Sequence, residues 1–136
     1  MKKLIFLLLL VPTFALAQLP QSDRWTLLYD NPKINQKTYI DTQTITVLDY
    51  LDGHSKVYLI WLRTYTDLST THYKERVDAH MAFDLSQSQF EMKSIAKFKD
   101  DGTVIDNQQI KIFNWADIVP ESNGELILNY LKRLNK

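Results

Sequence analysis

Over most of the chain, apolar and polar residues alternate with period two, which predicts a β protein. The pattern is clearest from Val57 to Thr66. There Val57, Leu59, Trp61, Arg63 and Tyr65 alternate against Tyr58, Ile60, Leu62 and Thr64. Both sets are largely apolar at the middle, which predicts a strand at the centre of a sheet. A second strand is expected from about Tyr73 to Leu85. Val77, Ala79, Met81, Phe83 and Leu85 point to the core, and Arg76, Asp78, His80 and Asp84 point to water. Gln89 to Lys99 returns beside it, with Phe90, Met92, Ala96 and Phe98 on one face. Shorter strands are expected at Trp25–Tyr29 and Thr38–Asp41. Thr44 to Tyr50 reads as a strand or a brief helical turn, and Thr103 to Ile112 as a polar strand or loop. Turn chemistry separates them: Asp30-Asn31-Pro32-Lys33, Ser86-Gln87-Ser88, and the Asp52-Gly53 and Asp101-Gly102 pairs, which tolerate positive φ.

The period changes at the C-terminus. Leu126, Ile127, Tyr130, Leu131 and Leu134 fall at helical spacing. Ser122-Asn123-Gly124-Glu125 is a capping box ahead of them, in which the serine oxygen accepts from the third helical N–H and Glu125 reaches back. Strands followed by one amphipathic helix predict an α+β fold. It is a mostly antiparallel β-sheet of about five to six strands with one C-terminal α-helix packed on it.

The N-terminus follows neither period. Lys2 and Lys3 precede an apolar run from Leu4 to Val11, and Ala15-Leu16-Ala17 offers small residues where a signal peptidase reads. Cleavage is expected between Ala17 and Gln18. The run falls short of the roughly 20 apolar residues that span a bilayer, so no membrane span is expected in the mature chain. With no cysteine there is no lipid-attachment site. The expected organisation is a signal peptide over 1–17, a flexible leader over 18–24 and one domain over 25–136. The protein is expected in the periplasm, on the cell surface or secreted, without a lipid anchor.

Composition narrows the chemistry. The 136 residues carry 16 basic and 16 acidic side chains, and loss of Lys2 and Lys3 leaves a slight acidic excess. That balance offers no basic field for nucleic acid. The absence of cysteine excludes thiol catalysis and thiolate metal sites. His54, His72 and His80 share no metal-ligand spacing and read as ordinary surface histidines. There is no G-x-S-x-G or S-x-x-K, and three glycines form no phosphate-cradling loop. Asp100, Asp101 and Asp106 lack the glutamate that closes a calcium loop. Neither an enzyme nor a cofactor or metal is expected. Three tryptophans and seven tyrosines are the remaining signal. On strands such residues are usually core, and an exposed subset would bind a protein or a sugar.

The order of these pieces resembles the surface-adhesin protein E family of Gram-negative bacteria. The resemblance rests on Trp25, Tyr39-Ile40-Asp41 with Thr44-Ile45, Val57-Tyr58-Leu59-Ile60-Trp61, and Lys74 to Leu85 through Phe83-Asp84. Trp115 and Ile118-Val119-Pro120-Glu121-Ser122 complete it, over about residues 25 to 134. The resemblance implies a small antiparallel sheet with a C-terminal helix, exposed on the cell surface or held in the periplasm. Some members bind vitronectin, laminin and plasminogen, and some dimerise through the sheet, which implies a protein partner and a homodimer. Family members often pair a cysteine at the end of the fourth strand with one in the final helix. Here Leu85 stands at the first position and the helix has none.

Two functions follow as expectations. The first is an adhesin-like, non-enzymatic binding protein for host matrix or serum proteins. Its partner-binding residues would be Lys74 and Arg76 at the start of the Tyr73–Lys93 hairpin, Lys93 and Lys97 on its return strand, and Lys132, Arg133 and Lys136 at the C-terminus. A terminal lysine presents the ammonium and carboxylate that plasminogen kringles recognise, so weak plasminogen binding dependent on Lys136 is expected. The alternative is a periplasmic structural or accessory protein of the envelope with no host ligand.

Overall fold

The computed structural model describes residues 23–67, 72–110 and 114–135. Ala17, Gln18 and Lys136, and the expected signal peptide with them, lie outside the described residues. The strands are β1 (Trp25–Asn31), β2 (Gln36–Asp41), β3 (Thr46–Leu51), β4 (His54–Thr66), β5 (Glu75–Asp84), β6 (Gln89–Lys99), β7 (Val104–Gln109) and β8 (Ala116–Asp117), followed by α1 (Asn123–Leu134). Six strands run in the order β1-β2-β4-β5-β6-β7; β3 is joined to β4 and β8 to β6. Every pairing is antiparallel. This is the α+β arrangement that the periodicities predict, with β4 inside the sheet as expected.

The turns show how local chemistry sets the strand ends. Asp52 and Gly53 hold φ of 49° and 88°, the left-handed pair of a tight hairpin between β3 and β4. β1 runs two residues past its expected end, to Asn31. The turn follows it, because the Asn31 side chain accepts from the Lys33 N–H and its carbonyl from the Ile34 N–H.

Directly opposed residues in an antiparallel ladder point to the same side. Tyr58, Ile60 and Leu62 of β4 therefore share a side with Phe83, Met81 and Ala79 of β5. α1 packs on that side through Ile127 and Leu131, closing a core with Ile40. At its N-terminus the Ser122 hydroxyl accepts from the Glu125 N–H. Glu125 reaches back to the N–H of Glu121, one residue beyond the expected capping-box partner, because the Ser122 N–H already donates to the Val119 carbonyl. The helix leaves part of this face open as a cleft of about 430 Å³, bordered by Thr38, Leu62, Met81, Phe90 and Val119.

Two expectations on β5 and β6 are corrected. Asp84 is fully buried instead of facing water. The expected Phe90, Met92, Ala96, Phe98 face is split by a bulge. Met92 opposes Met81 but Ser94 opposes His80, so Lys93 is the extra residue. After it, Ile95 and Lys97 lie on the helix side, and Ser94, Ala96 and Phe98 on the other.

The apolar expectation for α1 divides likewise, since Leu131 is fully buried whereas Leu134 is 53% exposed. Leu131→Ala should lower the unfolding free energy by about 3 kcal/mol and Leu134→Ala by under about 0.5 kcal/mol. Urea denaturation measures both, and equal losses would contradict this placement of the helix.

Candidate functional site

The sheet side opposite α1 carries residues that the ladder register brings together. β4 contributes Trp61, Arg63 and Tyr65; β5 contributes His80, Asp78 and Arg76 directly opposite them. β6 adds Ser94, Ala96 and Phe98. Among the described residues no helix covers this face.

Its geometry is organised around Asp78. Arg63 donates to both carboxylate oxygens, from Nε at 2.8 Å and from a terminal nitrogen at 2.9 Å. Arg76 approaches the same carboxylate at 3.4 Å. Each guanidinium also stacks on an aromatic ring, Arg63 at 4.2 Å over Trp25 and Arg76 at 4.0 Å over Phe98. Such contacts contribute about 0.5–2 kcal/mol each, more as water is excluded. Beside Arg63, Tyr39, Tyr65 and Tyr73 form a buried cluster. Burial raises the Tyr39 and Tyr65 hydroxyls above their usual range, so both rings stay neutral. Two arginines against one aspartate leave the centre of the face with one net positive charge.

Beside this centre Trp61 and His80 stack with ring centroids 4.6 Å apart and planes 10° apart. His80 is thus half-buried, not the surface histidine that alternation predicts. Burial, and secondarily the Lys93 charge, pulls its titration below the ordinary histidine range.

His54 likewise departs from the surface reading. Its Nδ1 lies 2.8 Å from the buried Asp84 carboxylate, and its ring stacks on Trp115 at 3.9 Å. Burial alone would raise the Asp84 carboxyl. Hydrogen bonds from the Ser86 hydroxyl, the Gln87 N–H, His54 and the Ser86 N–H outweigh that and hold it below the usual carboxylate range. Among the described residues no hydroxyl bonds the other ring nitrogen of His54. The pair fastens the turn that follows β5. At the sheet edge, burial would raise the Asp41 carboxyl too, but hydrogen bonds from Arg24, Thr44 and the Gln43 N–H keep it low.

The cations expected at a partner surface do not form one patch. Lys74 is exposed, 3.7 Å from Asp67. Arg76 belongs to the face just described. Lys93 is drawn in between Glu91 at 2.7 Å and Asp52 at 3.3 Å. Lys97 is exposed on the opposite side of the sheet, beside Val77 and Asp106. Lys132 and Arg133 are exposed on the last turn of α1. The charge-based reading misses Trp25, Trp61, Arg63 and Phe98. For Trp61 and Arg63 the signal lay in the Trp-Leu-Arg-Thr-Tyr run of β4, where an arginine alternates with aromatic residues on an otherwise apolar strand.

No family model matches the chain, nor does any curated protein or solved structure. Among the described residues no three carboxylate or imidazole groups are placed to hold a metal ion. No described helix is long and apolar enough to cross a membrane.

The titrations set a direction for stability against pH. His80, lowered when folded, contributes stability that is complete above the unfolded histidine value of about 6.5 and is lost as pH falls toward its folded value. Asp41 and Asp84, also lowered, contribute stability present above about 3.9 and lost as pH falls through their folded values. Thermal melts from pH 8 to pH 4.5 should show a shallower decline for His80→Gln than for the unmodified protein between pH 7 and pH 5. Identical slopes would contradict the buried, neutral His80.

Proposed function

We propose that the chain is an exported, non-catalytic binding protein that takes a protein partner on its Arg63–Asp78–Arg76 face. The observation that carries this reading is the composition of that face. Trp25, Trp61, Phe98 and two arginines stand partly exposed on a surface that no described helix covers. Tryptophan and arginine dominate the residues on which protein interfaces depend. Both guanidiniums are already fixed by rings and by Asp78, so little side-chain entropy remains to be lost on binding. The net positive charge at the centre favours a partner presenting acidic groups.

The resemblance to the surface-adhesin protein E family supplies the candidates vitronectin, laminin and plasminogen, with exposure at the cell surface. Arg63 is expected to matter more than Lys97, which faces the other way. Surface plasmon resonance over the three immobilised proteins tests this. Arg63→Ala should weaken binding by about thirty-fold or more, the effect of a central hot-spot residue, and Lys97→Ala by less than about two-fold. Absence of binding to all three would overturn the host-protein reading, and equal loss in both variants would overturn the assignment of the face.

A further inference from the structure

A second site is built at the C-terminal end of α1, from residues that do not belong to the sheet face. A pocket of about 260 Å³ lies between the start of β4, the β5–β6 turn and the last turn of the helix. Ser55, Lys56, Tyr58, Leu85, Ser86, Lys132 and Asn135 line it. Tyr58 is only 4% exposed, its ring packed in the core with Ile60 and Phe83. Among the described residues nothing hydrogen-bonds its hydroxyl, and nothing pairs with the ammonium groups of Lys56 or Lys132. The other lysines with a carboxylate in reach take it, as Lys37, Lys74 and Lys93 do.

Two lysines bordering one small pocket raise its positive potential and favour an anion there. Among the described residues the neighbouring negative charges do not balance them. Asp84 is saturated by Ser86, Gln87 and His54. The C-terminal end of α1 contributes about half a negative charge, against two positive. The Ser86 hydroxyl is already spent as a donor to Asp84, at 2.6 Å. Beside the apolar side chain of Leu85, the lining residues carry donors: two ammonium groups, the Tyr58 and Ser55 hydroxyls and the Asn135 amide. Lys56 also holds φ of 57°, a left-handed conformation that a lysine adopts at a cost.

We propose that this pocket binds a small tetrahedral oxyanion, a phosphate or sulfate group, between Lys56 and Lys132 with the Tyr58 hydroxyl donating from the pocket wall. Lysines act on such groups as point charges, and hydroxyl donors fix the orientation. The site is independent of the sheet face, so either proposal stands if the other fails.

An NMR titration of the protein with sodium phosphate, sodium sulfate and sodium chloride at matched ionic strength tests it. Phosphate or sulfate should give saturable shifts centred on Lys56, Tyr58 and Lys132, and chloride should not. Lys56→Gln and Lys132→Gln, both at exposed positions, should each weaken binding about ten-fold. Tyr58→Phe should weaken it less. Shifts from chloride equal to those from both oxyanions, or undiminished binding in the two lysine variants, would overturn the proposal. Saturation by phosphate alone would assign the site to phosphate groups, and saturation by both to oxyanions of either kind.

Discussion

Ten consecutive residue pairs join β4 to β5 without a register shift, from Val57 opposite Asp84 to Thr66 opposite Glu75. Side chains alternate along a strand, so this one ladder assigns each central residue to a side. Tyr58, Ile60 and Leu62 meet Phe83, Met81 and Ala79 and take the helix. Trp61, Arg63 and Tyr65 meet His80, Asp78 and Arg76 on the side away from the helix. A slip of β4 by one residue would put Arg63 beneath the helix, leave Asp78 on the other side and expose Ile60. Burial of the aliphatic set, at about 25 cal/mol per Å² of apolar surface, opposes that slip. The arginine–aspartate pairing acts in the same direction, because both partners would lose their charge compensation.

The two sides are stabilised by different physics. On the helix side, Ile40, Ile60, Phe83 and Leu131 are fully buried and packing does the work. On the other side, charged groups are paired with one another and stacked on rings. Glu91 shows how far this goes, being only 2% exposed, with its charge met by Lys93 at 2.7 Å. One oxygen of Glu91, the Nε of Arg76 and the indole N–H of Trp115 are left without a hydrogen-bond partner among the described residues. Removing either member of a buried pair such as Glu91–Lys93 typically costs about 3–5 kcal/mol, so these contacts constrain the fold as firmly as the core does.

Much of the architecture was legible in the sequence. Period-two runs located β4, β5 and β6, the Asp52-Gly53 pair marked its hairpin, and Ser122 with Glu125 marked the start of α1. What alternation could not reveal was its own interruption at Lys93. Nothing in Met92-Lys93-Ser94 marks a bulge, since the extra residue is defined only by its partner strand. That interruption separates Arg76 from Lys97, which a charge count places together, and sets Arg76 against Phe98 instead. β8 escaped notice because two residues carry no period. The buried state of Asp84 and His54 was hidden because each satisfies the other, a pairing across 30 positions that no local pattern records.

The bulge and the ladder together decide what the open face contains, and therefore which residues could meet a partner. The most direct test is a nuclear Overhauser experiment on the Phe98 ring. That ring should show contacts to the Arg76 side chain, with the Arg76 methylene protons shifted upfield by the ring current. Contacts from Phe98 to Val77 in place of Arg76 would mean that alternation runs unbroken through Lys93, and would contradict it.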